Sequence, residues 1–207
     1  MQTREREWRR WTVVTICAAL LLLALAPARA QQALSSLDQS LNPLRAKFNQ
    51  DAGKVRVIAI VDPTCPPCRW GASEIQQKVM ETIHSDRLAV YVVWIPVLNF
   101  QDEPTLQRNG LKESKRVSDP RAIHFIDPSG SAGKAYSTIL NFPYHAPAWD
   151  VYLAFAADAR WQDQPPVPAD WMYQGSGFER SRLLDGRKFA DRVQDLLAAK
   201  SKAAAQR

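Results

Sequence analysis

Val55-Arg56-Val57-Ile58-Ala59-Ile60-Val61 runs directly into Asp62-Pro63-Thr64-Cys65-Pro66-Pro67-Cys68-Arg69-Trp70. The first seven residues form a nearly continuous apolar run rich in β-branched side chains, the pattern of a strand covered on both faces. The proline-rich turn that follows leads into a stretch, Arg69 to about Ser85, that reads as a helix. Leu88 to Val97 is a second buried strand. Strand, helix, strand in this order predicts a βαβ unit with a parallel sheet, so the expected fold class is α/β.

Upstream, Leu34, Leu37, Leu41, Leu44 and Phe48 recur at three- and four-residue steps, which predicts an amphipathic helical lead-in restarted at Asn42-Pro43 and stopped at Asp51-Ala52-Gly53. Residues 31–43 read equally as a linker. Downstream, a helix is expected over Thr105 to Arg116, a short strand over Ala122 to Ile126 and a helix over Lys134 to Leu140. Strands over Ala148 to Phe155 and Trp171 to Gln174 follow, separated by a Pro-rich insertion whose ends carry Trp161 and Trp171. A last helix spans Phe178 to Lys200, interrupted near Asp185-Gly186. Gly175-Ser176-Gly177 lacks the spacing of a nucleophile elbow and reads as a cap for that helix.

The N-terminus has a separate logic. Arg4, Arg6, Arg9 and Arg10 precede an uncharged stretch from Thr12 to Pro27 that ends in Ala28-Arg29-Ala30. A charged start, a short apolar run and an Ala-x-Ala end predict a secretory signal peptide over residues 1–30, cleaved after Ala30. The run is shorter than the roughly 18–20 residues a bilayer requires, so membrane association is expected only of an uncleaved chain. The domain is expected over 44–200, with a tail over 201–207.

Charge follows the same division. The chain carries 27 Lys plus Arg against 21 Asp plus Glu, and the leader removes five Arg and two Glu from that account. What remains is 22 against 19, which gives little support to nucleic-acid binding. No phosphate-binding or dinucleotide fingerprint is present, so no nucleotide cofactor is expected.

With Cys17 inside the leader, the mature chain keeps Cys65 and Cys68 alone. In an oxidising compartment a pair two residues apart closes too short a loop to staple a domain. Its position suggests chemistry instead. A cysteine where a strand turns into a helix meets unpaired backbone N–H groups and the positive end of the dipole, which favour thiolate over thiol. Cys65 is therefore the expected nucleophile and Cys68, one turn in, the resolving thiol. Thr64, Pro66 and Pro67 complete the active-site turn, Pro67 suiting the first helical turn. The competing reading, a zinc site, lacks two ligands, since His84, His124 and His145 show no ligand spacing and no second cysteine pair exists. No metal is expected.

Asp62 to Trp70 resembles the active-site turn of thioredoxin-fold proteins, and Cys-Pro-Pro-Cys-Arg is similar to exported thioredoxin-like reductases of the TlpA and cytochrome-c-maturation group. That group carries an extra strand and helix after the second main strand, with an Asp-x-x-Gly turn and a later Tyr; Asp127-Pro128-Ser129-Gly130 and Tyr136 stand in this order. The resemblance implies a central mixed sheet flanked by helices, with this strand–helix insertion. It also implies a cis-proline at Pro147, with Pro143 as the competing position, and places Ala146, Pro147 and His145 in a substrate-binding role. Tyr144 and Trp149 could then form an apolar rim. Two departures stand out. The buried acid that thioredoxins carry six residues before the first cysteine is Ala59 here, and the Trp directly before it is Thr64. Asp62 and Glu74 are candidate stand-ins for the acid, with helix capping and a solvated face as their alternative readings.

The expected activity is thiol–disulfide exchange with protein thiols or disulfides by an exported protein of the periplasm or exterior; the Pro-Pro dipeptide and the resemblance favour the reducing direction, the oxidising compartment an oxidase or isomerase. Its cofactor is its own Cys65–Cys68 disulfide, and its electrons pass to or from another protein's thiols. The alternative is a thiol carrier of a soft ion such as Cu(I) or Hg(II).

Overall fold

The computed structural model describes residues 33–175 and 177–205. The expected leader, residues 1–30, lies outside them, as does Ser176 of the expected glycine-rich cap. Among the described residues no helix is long and apolar enough to cross a membrane.

Strand β1 (Ser35–Ser36) precedes helix α1 (Asn42–Gln50) and strand β2 (Val55–Val61). Helix α2 (Pro66–Glu74) continues as a π-helical stretch over Ile75–Met80 and leads to β3 (Leu88–Trp94). Then come α3 (Glu103–Glu113), β4 (Ala122–Ile126), α4 (Ser131–Ile139), the hairpin strands β5 (Val151–Phe155) and β6 (Asp170–Tyr173), and α5 (Gly186–Ala205). The single sheet runs β1-β4-β3-β2-β5-β6. β2 pairs parallel with β3 and antiparallel with β5, and β5 pairs antiparallel with β6. The four strands β3-β2-β5-β6, with α2 crossing between β2 and β3 and α5 closing the chain, are the thioredoxin arrangement. The inserted strand and helix are β4, parallel to β3, and α4.

The central strands β2, β3 and β5 are buried on both faces, as their unalternating sequences require. One packs Val57, Ala59 and Val61 against Cys65, Cys68, Ile75, Val79, Phe189 and Val193. The other packs Ile58, Ile60, Tyr91 and Val93 against Leu44, Phe48, Tyr136 and Trp161. Arg56, polar within β2, is nonetheless fully buried. Its guanidinium donates to the carbonyls of Phe48 and Ala156 and lies 4.3 Å from the Phe48 ring centroid.

Several expectations change. Ser35–Ser36 pairs with Phe125–Ile126 as an edge strand rather than joining a lead-in helix or linker, because Leu37 and Leu41 are buried against the sheet through a turn. The last helix starts at Gly186, where Asp185 Oδ1 accepts from the Arg187 and Lys188 N–H groups; Asp185, not the Gly175–Gly177 segment, caps it. Only a short 3₁₀ turn, Arg180–Arg182, occupies the stretch before. The expected tail is helical through Ala205. The insertion between β5 and β6 is fastened to α1, Asn49 exchanging side-chain hydrogen bonds with both the N–H and the carbonyl of Trp161.

Candidate functional site

Helix α2 begins where β2 ends because Asp62 holds the turn. Its Oδ1 accepts from the N–H and hydroxyl of Thr64, its Oδ2 from the N–H groups of Val97 and Leu98 beyond β3. Four donors saturate this buried carboxylate, so Asp62 is a staple for the turn and has no lone pair directed at Cys68. Thr64 in turn accepts from the Asn99 amide, tying the loop after β3 to the turn. Pro66 and Pro67 occupy the first helical turn and are exposed.

Cys65 is the N-cap of α2, and its Sγ accepts from the Cys68 N–H at 3.3 Å. Both cysteines are free and both are buried, at 1% and 0% exposure, so the first sulfur is far less open than its position at the helix mouth suggests. The Cys68 thiol, donating to the Cys65 sulfur, holds the Cys65 titration below the ordinary thiol value, against the cost of burial and helped by the Cys68 N–H. Burial, with that same donated hydrogen, pushes Cys68 far up. The first sulfur is thus the more acidic of the two, and the second the one that holds its proton more tightly.

A buried acid does stand beside the sulfurs: Asp150, immediately before β5. Its carboxylate and the two sulfurs lie within 4.8 Å of one another. Burial raises its titration to about 6, held back by donors from Tyr152, Gln174 and Cys68. The Tyr152 hydroxyl donates to Asp150 Oδ1 at 2.7 Å and the Gln174 amide at 2.9 Å; the same amide donates to the carbonyl of Pro67, inside the cysteine turn. Tyr152 stands directly across from Ala59 in the β2–β5 register, so the phenol lies beside the position at which thioredoxins carry their buried acid. Glu74 is directed elsewhere, against Gly186 at the start of α5.

His145, Ala146 and Pro147 lie in the segment between α4 and β5 that delivers Asp150. His145 is exposed and the other two half-buried. No peptide bond among the described residues is cis, so the expected cis-proline is absent at both Pro147 and Pro143. Instead the segment turns through positive φ at Asn141, Tyr144, His145 and Asp150, and Ala148 N–H is anchored on the Gly133 carbonyl. Non-glycine residues in this region cost about 1–3 kcal/mol each and concentrate at functional sites. Of the expected rim, Tyr144 is 98% exposed, whereas Trp149 packs against the buried core.

For a metal, Cys65, Cys68 and Asp150 supply three donors, one short of the tetrahedral set zinc takes in structural sites. Nothing in the sequence near the cysteines marks Asp150, Tyr152 or Gln174. A buried acid one residue before an apolar strand, with a Tyr two residues on, is the signal that could have drawn attention to them.

No protein-family model matches the chain, and no curated protein matches it. Among solved structures, it is similar to a secreted Mycobacterium tuberculosis disulfide oxidoreductase homologous to E. coli DsbE, at 14% identity and a TM-score of 0.43, over 82% of this chain and 99% of that one. It is also similar to the dsbF of MTB, at 14% identity and TM-score 0.42 over 72% and 84% of the two chains. A putative protein disulfide isomerase from Bacteroides thetaiotaomicron overlaps at 14% identity and TM-score 0.41 over 72% and 75%. At such low identity and TM-score, the fold class rests on the strand order and connections of this chain itself.

Proposed function

We propose that the protein is an exported thiol–disulfide oxidoreductase working through Cys65 and Cys68. The observation that carries this reading is the placement of two free sulfurs one helical turn apart: Cys65 at the N-cap, its Sγ accepting from the Cys68 N–H, and Cys68 fully buried beneath it, an arrangement that lowers the first titration and raises the second.

The Cys65 thiolate attacks one sulfur of a substrate disulfide, forming a mixed disulfide and releasing the other sulfur as a thiolate that takes a proton. Cys68, losing its proton, attacks the Cys65 sulfur; the Cys65–Cys68 bond forms and the second substrate sulfur leaves as a thiol. The substrate gains two electrons and two protons, and the protein ends oxidised. Run backwards, the same steps oxidise a substrate. The reducing direction is favoured by the Cys-Pro-Pro-Cys-Arg resemblance, with protein thiols restoring the dithiol. Residues 1–30, with their basic start and Ala-x-Ala end, support export. The segment carrying His145, Ala146 and Pro147 reaches the site through Asp150 and is the surface offered to an extended substrate.

The test is the reduction potential of the purified protein, titrated against dithiothreitol with Cys65→Ser as control. A value near about −270 mV fits a reductant, and one near about −120 mV an oxidant. Absence of a reversible couple, with Cu(I) retained through purification, would replace this reading by soft-ion carriage.

A further inference from the structure

Resolution of the mixed disulfide needs a base for the Cys68 proton, and the position where a thioredoxin supplies one is Ala59. Three observations converge on the residue that precedes a different strand. Asp150 is 1% exposed and faces the Cys68 thiol, with no other carboxylate in the cluster. It is one of four non-glycine residues of its segment held at positive φ, here 54°, a conformation the surroundings must enforce. Its Oδ1 receives both Tyr152 and Gln174, and α2 carries a glycine, Gly71, where any side chain would displace these two donors.

We propose that Asp150 is the proton acceptor of Cys68, with Tyr152 and Gln174 as positioning residues that hold its carboxylate.

This rests on the thiol–disulfide reading. In the step itself, the Cys68 S–H bond breaks and its proton passes to the Asp150 carboxylate. The sulfur keeps the electron pair and attacks Cys65, and the substrate thiolate that leaves is protonated in turn by Asp150 or solvent. Tyr152 and Gln174 donate to the one oxygen, Oδ1, whether the group is carboxylate or acid, so both states are accommodated. The groups facing the carboxyl are Cys68 and Cys65 from α2, Tyr152 from β5 and Gln174 from beyond β6; Asp62, at the end of β2, acts on Cys65. No cation is among the influences on Asp150.

The experiment uses the reduced full chain and 2,2′-dipyridyl disulfide, which releases one thiopyridone when Cys65 attacks and a second when Cys68 resolves. Asp150→Asn should slow the second release by about a hundredfold or more relative to the first, the range general-base catalysis supplies. The wild-type rise of the second rate with pH, centred near 6, should vanish. Tyr152→Phe, which keeps the carboxylate but removes a donor, should shift that rise to higher pH, and it carries the test if Asp150→Asn fails to fold. Equal slowing of both releases, or a second release whose pH profile survives in Asp150→Asn, overturns the proposal. A wild-type protein that releases no thiopyridone, or only one, sinks the oxidoreductase reading itself.

Discussion

Gly71 leaves the space that the Tyr152 hydroxyl fills. A Cβ added there would collide with that oxygen and stand 2.6 Å from Gln174 Nε2, although Gly71 lies on α2 and Tyr152 on β5. The contact fastens the helix that carries the cysteines to the strand that follows Asp150.

Gly71→Ala should therefore lose more by overpacking than it gains in helix propensity. Overpacking a tight core site costs about 1–3 kcal/mol, against a gain of up to about 1 kcal/mol from replacing glycine in a helix. Urea unfolding of the reduced protein should show a net loss, with the pH dependence of disulfide resolution altered as well. A more stable variant with wild-type kinetics would show that the helix and strand shift apart freely.

The ultraviolet absorbance of the Cys65 thiolate should titrate lower than that of an ordinary cysteine. Because the Cys68 thiol is the main cause, Cys68→Ala should move the midpoint up, and Cys65→Ser should remove this low transition altogether. An unmoved midpoint in Cys68→Ala would assign the effect to the helix terminus alone.

Asp150 gives the reduced protein a pH-dependent stability. Its folded titration, about 6, lies above the roughly 3.9 of an unfolded aspartate, so the folded state holds more protons in between. Stability should fall as pH rises from about 4 to about 6, by up to about 3 kcal/mol. Chemical denaturation at a series of pH values should show this slope in the wild type and a flatter profile in Asp150→Asn.

His124 works with the opposite sign. It is stacked on Trp94, accepts from the indole N–H at Nδ1 and contacts the Val117 carbonyl through Nε2, and burial lowers its titration. Protonation would place a hydrogen on Nδ1 against the indole N–H. The stability contributed by the neutral ring is present above the unfolded value of about 6.5 and is lost as pH falls below it. His124→Gln should remove that acid-side loss, so the Asp150 slope should appear more clearly in its denaturation profile.

How far the sequence speaks depends on the range of the forces involved. β2, β3 and β4 are legible because their apolar runs and flanking turns are local patterns, and β2 and β4 lie where the residues predict them. The placement of Cys65 at a strand-to-helix junction is equally local, and the N-cap geometry with its perturbed thiol follows from it. The Asp127 turn is local too: Gly130 takes positive φ and the carboxylate accepts from the Ala132 N–H as α4 starts. Arg56 shows the limit, since its burial depends on carbonyls offered by Phe48 and Ala156, one of them a hundred residues away. The trans peptide at Pro147 and the left-handed residues around it are likewise set by what the segment packs upon. Asp150 meets Cys68 only because β5 pairs antiparallel with β2 in the register that sets Tyr152 opposite Ala59; a slip of one residue would turn Tyr152 to the other face of the sheet. The pair of candidate sulfurs was thus legible in the sequence, whereas the acid beside them was decided by long-range strand pairing, which no local periodicity encodes.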